Sequence, residues 1–155
     1  MIARLLLAAV ALTGLVTAFP GESAATDAGS LKEQIVGTWI FVSSSNTRSD
    51  GSRFNRWGSN PKGIFMFDGK GNYSQMITRP DVGVFGAKTV SSYGTYSVDE
   101  ANKILITNIV ASSFPKLNGT SQRRAIVNLT ADELKYVNRA TASGTTVEAI
   151  WKRFK

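Results

Sequence analysis

Gly63-Ile64-Phe65-Met66-Phe67-Asp68-Gly69-Lys70-Gly71-Asn72-Tyr73-Ser74-Gln75-Met76-Ile77-Thr78 reads as a strand, a tight turn and a second strand. Gly69 and Gly71 supply the positive φ that such a hairpin turn needs. Downstream, the same grammar repeats over Thr89 to Val98, Lys103 to Ser112, Arg123 to Leu129, Leu134 to Ala140 and Thr145 to Phe154. Turns at Asp99 to Asn102, Ala131-Asp132-Glu133 and Ala142-Ser143-Gly144 separate several of them. Upstream, Val36 to Ser43 is a further strand, fed by one helical turn within Leu31 to Val36. The expectation is an all-β chain of eight antiparallel strands, the number at which an up-and-down barrel closes and removes its edges.

The length of 155 residues suits one domain, and 43% hydrophobic with 19% charged residues fits a packed core. Cys and His are both absent. Disulfides, thiolate nucleophiles, His-based triads and nearly every zinc site are thereby removed, and neither cofactor nor metal is expected. Arg4 followed by the apolar run Leu5 to Val16 reads as an export leader too short to span a bilayer. Cleavage is expected after Ala25, or else after Ala18, leaving a linker at residues 26–30, a barrel domain at 31–155 and no membrane span. Arg4 and Glu22 depart together, so the net charge of +7 is kept. A bacterial periplasmic or secreted monomer is expected.

Strand alternation sorts the connections by barrel end. Ser44 to Lys62, Arg79 to Lys88, Ser113 to Gln122 and Thr141 to Gly144 fall at one end, and the tight turns at Gly69, Glu100 and Asp132 at the other. Long loops gathered at one mouth are where binding usually sits. Arg48, Arg53, Arg56, Lys62, Arg79, Lys88 and Lys116 share that end with only Asp50 and Asp81. Focused positive potential there would draw an anionic head group; ordinary surface charge is the competing explanation.

Gly37-Thr38-Trp39 opening the first strand resembles the Gly-x-Trp signature of lipocalins. Asn60-Pro61-Lys62-Gly63, Tyr93-Gly94-Thr95-Tyr96-Ser97-Val98-Asp99, Pro115 with Gly119-Thr120 and Gln122-Arg123-Arg124, and Ile150-Trp151-Lys152-Arg153 are similar to the bacterial lipocalin-like domain family. The resemblance spans Leu31 to Phe154 and implies a calycin-type barrel. Members often carry a histidine where this chain has Thr107 and Asn108, so no role of that histidine operates here. The resemblance also implies that Arg153 lies across Trp39. Trp39 would then plug the closed end, with Gly37 permitting close packing.

Catalytic signals are weak. Ser59-Asn60-Pro61-Lys62 and Ser113-Phe114-Pro115-Lys116 have the Ser-x-x-Lys spacing, but proline before each lysine disfavours the helix it requires. Asp68-Gly69-Lys70-Gly71-Asn72 lacks the ligands of a calcium loop. Glu148 is the only acid well inside a strand, so paired carboxylates are not evident. Arg48, Arg53, Phe54, Arg56 and Trp57 superficially suit nucleic acid, yet a lid over a barrel mouth explains them better and no nucleic-acid partner is expected.

The leading expectation is a binding protein for a small hydrophobic or amphipathic, anionic molecule. Phe41, Phe65, Phe67, Tyr96, Asn108 and Arg124 would line its lumen, with Phe54 and Trp57 against an apolar tail. The acidic head would stay among Arg48, Arg53, Arg56 and Arg79. A barrel filled by its own side chains, serving structure or protein interaction, is the alternative. A cofactor-free isomerase or cyclase using Tyr96 and Arg124 is a third reading. Export has its own test: N-terminal sequencing of periplasmic material should begin at Thr26, or at Phe19 for the earlier site. A retained Met1 in the membrane fraction would contradict cleavage.

Overall fold

The computed structural model describes residues 29–79, 88–141 and 143–155. The leader expected over residues 1–25 lies outside them, as does most of the loop expected between Arg79 and Lys88. A five-residue helix, α1 (Leu31–Ile35), precedes nine strands: β1 (Gly37–Thr47), β2 (Arg53–Phe54), β3 (Lys62–Phe67), β4 (Asn72–Arg79), β5 (Lys88–Asp99), β6 (Ile104–Ser112), β7 (Ser121–Leu129), β8 (Glu133–Asn138) and β9 (Thr146–Arg153). All pairings are antiparallel: β1 pairs with β3, β3 to β9 pair in chain order, and β9 closes back on β1 from Trp39↔Arg153 to Thr47↔Thr146. Eight strands therefore form a closed barrel. β2 is a two-residue ribbon folded onto the far end of β1 through Asn46↔Phe54 and Thr47↔Arg53.

β1 runs four residues beyond the Ser43 expected from sequence. Its second half pairs with β9 on one side and β2 on the other, which holds Ser44, Ser45 and Asn46 extended despite their low strand propensity. Its register slips against β9 between Phe41 and Ser43. Such a bulge reverses the alternation, so Trp39 and Phe41 point inward below it and Ser44 and Asn46 above it. A second bulge lies between Tyr93 and Gly94 of β5, opposite Val110 of β6. A Cβ on Gly94 would overlap the Asn108 carbonyl oxygen, so only glycine allows the two backbones to approach there.

Inward side chains change size along the barrel axis. Around the tight turns they are bulky: Trp39, Phe65, Leu105, Leu134 and Trp151 are fully buried, and Phe67 and Tyr96 nearly so. Their rings interlock, with Phe65 4.2 Å from Phe67, Phe67 4.9 Å from Tyr96 and Phe65 5.3 Å from Trp151 between centroids. Towards the loops the inward positions shrink to Ser44, Ser92, Val90, Val147 and Ala149. Half the barrel is packed, and half is left open.

The packed end is closed by α1, and side chains satisfy both ends of that helix. At its start, Ser30 and Glu33 form a reciprocal capping box, and the Glu100 carboxylate accepts from the Leu31 and Lys32 amides at 2.9 Å. At its end, Arg153 donates from Nη2 to Gln34 O at 2.6 Å and from Nη1 to Val36 O at 2.8 Å. Trp39 Nε1 donates to Ile35 O at 2.9 Å, and Arg153 Nε reaches Ala131 O. The same guanidinium lies 4.1 Å from the centre of the Trp39 ring. Gly37 sits at φ +127° beneath it, and a Cβ there would come within 2.7 Å of Arg153 Nη1.

This closure sets an order of stabilities that urea unfolding of three variants can check. Trp39→Ala should cost roughly 3–5 kcal/mol as a large-to-small core change. Arg153→Ala should cost about 1–3 kcal/mol, from charged hydrogen bonds and the cation–ring contact. Gly37→Ala should cost about 1–3 kcal/mol through its strained φ alone. An unfolding midpoint unmoved by Trp39→Ala would contradict the closure.

Candidate functional site

The open half of the barrel is a cavity of about 490 Å³ at the loop end. Its rim comes from the β2–β3 loop, from the Pro115–Leu117 3-10 turn after β6 and from the β8–β9 connection, which contribute Arg56, Trp57, Phe114, Leu117, Thr141 and Ser143. Trp57 is only 7% exposed and turns its edge to Phe41, 6.4 Å away between ring centres. Arg56, exposed, lies 5.8 Å from both the Trp57 and Phe114 rings. Asn55 holds this loop in shape by accepting from Trp57 N at 2.9 Å and donating to Gly58 O at 2.6 Å. Apolar wall is supplied by Ile77, Val90, Ile109, Val147 and Ala149.

Polar groups interrupt that wall. Asn138 donates to Gln122 Oε1 at 2.8 Å and accepts from Ala140 N at 3.0 Å, so it serves the barrel itself. Arg124, 8% exposed, donates from Nη1 to Thr107 Oγ1 at 2.6 Å and lies 5.5 Å from the Tyr136 ring and 5.8 Å from that of Phe65. Ser44 Oγ and Asn46 Oδ1 are buried without a hydrogen-bond partner. Both line the cavity, and Asn46 is only 2% exposed.

Of the residues singled out by sequence, Phe41, Arg56, Trp57 and Arg124 line this cavity. Phe65, Phe67 and Tyr96 also point inward but belong to the packed half beneath it. Asn108 is a correction. It is exposed on the outer face, accepting from Ser121 Oγ at 2.6 Å, because the alternation of β6 turns its neighbour Thr107 inward instead. Arg48 and Arg53 are exposed and do not reach the cavity; Arg48 lies 4.1 Å over Phe54 and donates to Ser52 Oγ. Arg79 ends β4 in the inward register of Tyr73 and Ile77 without lining the cavity, and Phe54 is half-buried outside it. Ser44 and Asn46 escaped the sequence reading because it ended β1 at Ser43, just past the bulge. The polar Ser43 to Asn46 run beside apolar Phe41 was the available signal.

Acid–base chemistry finds no assembled machinery among the described residues. The Tyr96 hydroxyl donates to the Asp68 carbonyl at 2.8 Å, away from Arg124. Burial, and then the neighbouring Asp68 charge, push its phenol above the usual tyrosine range, which favours the neutral donor. Asp68, Asp99 and Asp50 are held below the usual carboxylate range, chiefly by side-chain hydrogen bonds from Asn72, Asn102 and Ser52 within their turns. Glu148 pairs with Lys135 at 3.2 Å. Proline at the start of the Pro115–Leu117 turn makes Ser113-Phe114-Pro115-Lys116 partly helical, contrary to expectation, as proline suits a first helical position. Its Ser113 is nevertheless committed to β5, accepting from Ser91 N at 2.9 Å and donating to Thr89 O. No cluster of three or more acids exists among the described residues to hold a metal ion.

Residues 35–136 match the lipocalin-like domain family. Among solved structures, the chain is similar to a lipocalin-like protein from Bacteroides uniformis ATCC 8492. The identity is 16% and the TM-score 0.48, over 78% of this chain and 99% of that one. No curated protein matches.

The cavity also gives an optical test, since Trp39 and Trp151 are sealed in the packed half and Trp57 faces the open one. Occupation of the cavity should shift tryptophan emission through Trp57 alone. Trp57→Phe should remove the ligand-dependent change while leaving the far-ultraviolet spectrum intact; a change persisting in that variant would place the ligand elsewhere.

Proposed function

The chain belongs to the lipocalin-like domain family, and from that premise we propose that it is an exported binding protein for one small amphipathic, anionic molecule held in the barrel lumen. The observation that carries this reading is the 490 Å³ cavity opening among the long loops. It falls within the range of about 300–1,000 Å³ typical of small-molecule sites, with mostly apolar walls and a few placed polar groups. An eight-stranded barrel filled by its own side chains would leave no such space.

Charge supports the anionic part. Arg56 and Lys116 line the mouth, and Arg48, Arg53, Lys62, Lys88 and Arg139 are exposed at the same end. Among the described residues, Asp50 is the acid that shares those loops. Exposed rim charges of this kind accelerate encounter more than they hold the ligand. The export leader supports a periplasmic or extracellular address, and among the described residues no helix is long and apolar enough to cross a membrane. The isomerase reading loses its support, because Tyr96 is occupied at the opposite end from the cavity mouth.

Native mass spectrometry of freshly purified protein is expected to show a co-purifying mass of lipid-like size, lost on organic extraction. In stopped-flow measurements with a fluorescent fatty acid, Arg56→Gln with Lys116→Gln should slow association several-fold, each exposed contact being worth about 0.2–1 kcal/mol. Added salt should reproduce much of that loss in the wild type. Absence of both a bound mass and fatty-acid binding would contradict the proposal.

A further inference from the structure

We propose that the ligand enters acid-first: its anionic group is held at the inner end of the cavity by Arg124, and its apolar tail lies towards the loops. This rests on the small-molecule reading above and names the orientation and class of the ligand. It reverses the arrangement expected from sequence, in which the head stayed outside.

The contrast between two arginines carries the argument. Arg153 spends its guanidinium on three backbone carbonyls and an indole face, so its charge is consumed by the closure of the barrel. Arg124 is more deeply buried and far less used. Its side chain makes one hydrogen bond, to the neutral Thr107 hydroxyl, and faces the rings of Phe65 and Tyr136. It forms no ion pair with any acid among the described residues. A guanidinium has five donors and keeps its charge, so burial without a counter-ion is costly unless an anion arrives.

Position supports the direction. Arg124 pairs with Leu105 of the packed half, and its guanidinium bonds the fully buried Thr107 and lies 5.8 Å from the ring of Phe65, so it stands at the inner part of the cavity rather than its rim. Above it, the unpartnered Asn46 amide oxygen and Ser44 hydroxyl face the same space. Buried polar atoms of this kind are normally satisfied, and an occupant of the cavity would be within their reach. Towards the loops Trp57, Phe114, Leu117 and Val147 offer apolar wall to a hydrocarbon tail, interleaved with polar Asn46, level with Val147, and with the rim cations Arg56 and Lys116. The ligand class is therefore an amphipathic monoanion able to hydrogen-bond partway along its length.

Decanoate and 1-decanol, titrated calorimetrically into wild type and Arg124→Met, test this. Wild type should prefer decanoate, and Arg124→Met should lose about 30-fold or more in decanoate affinity through faster dissociation while binding decanol at least as well. Arg124→Lys should restore only part of the preference, lacking the planar fork. The unliganded Arg124→Met protein should melt at or above the wild-type temperature, since an apolar side chain replaces an uncompensated buried charge. A decanoate preference unchanged in Arg124→Met overturns the acid-first orientation and leaves lumen binding standing. Failure of wild type to bind either probe overturns both readings together.

Discussion

The Arg153 guanidinium, lying over Trp39 and donating to the Gln34, Val36 and Ala131 carbonyls, is the contact on which the barrel's asymmetry depends. A helix of five residues cannot hold itself together in water. It persists because side chains meet backbone groups at both of its ends: Ser30, Glu33 and Glu100 at the start, Trp39 and Arg153 at the finish. The helix in turn stoppers one end of the barrel. Gly37 follows from the same contact, since a side chain there would displace the guanidinium.

With one end stoppered and packed with rings, all the free volume falls at the other. The cavity arises from the sizes of inward residues, graded from Trp151 through Ala149 to Val147 on β9 and from Tyr96 through Gly94 to Ser92 on β5. The β1 bulge then decides its chemistry. Without the slip between Phe41 and Ser43, strict alternation would turn Ser43 and Ser45 inward and send Asn46 to the outer face. Fold and site thus share one cause, the placement of bulk and of bulges along the strands.

Most of the fold was legible because a hairpin such as Ile64 to Ile77 carries its register in its own turn, and eight such strands leave few ways to close. The Trp39 and Arg153 pairing was legible through resemblance, since 113 positions separate them and local pattern cannot join them. The site was only half legible. Arg124 and Trp57 stood out by residue type, but inward and outward faces follow from register. An unseen bulge in β1 hid Asn46, and a parity error in β6 put Asn108 where Thr107 belongs. The mouth arginines drew attention because charge is visible in a sequence, whereas burial without a partner is visible only in three dimensions.

The molecule has a sealed end and a receptive end, and amide hydrogen exchange with and without decanoate tells the two apart. Slow exchange is expected at α1 and the first residues of β1 in both states, with added protection confined to the loop carrying Trp57, the turn at Pro115–Leu117 and the middle of β7 around Arg124. Rapid exchange at α1 and Trp39 in the free protein, or decanoate protection appearing there rather than at the loops, would contradict it.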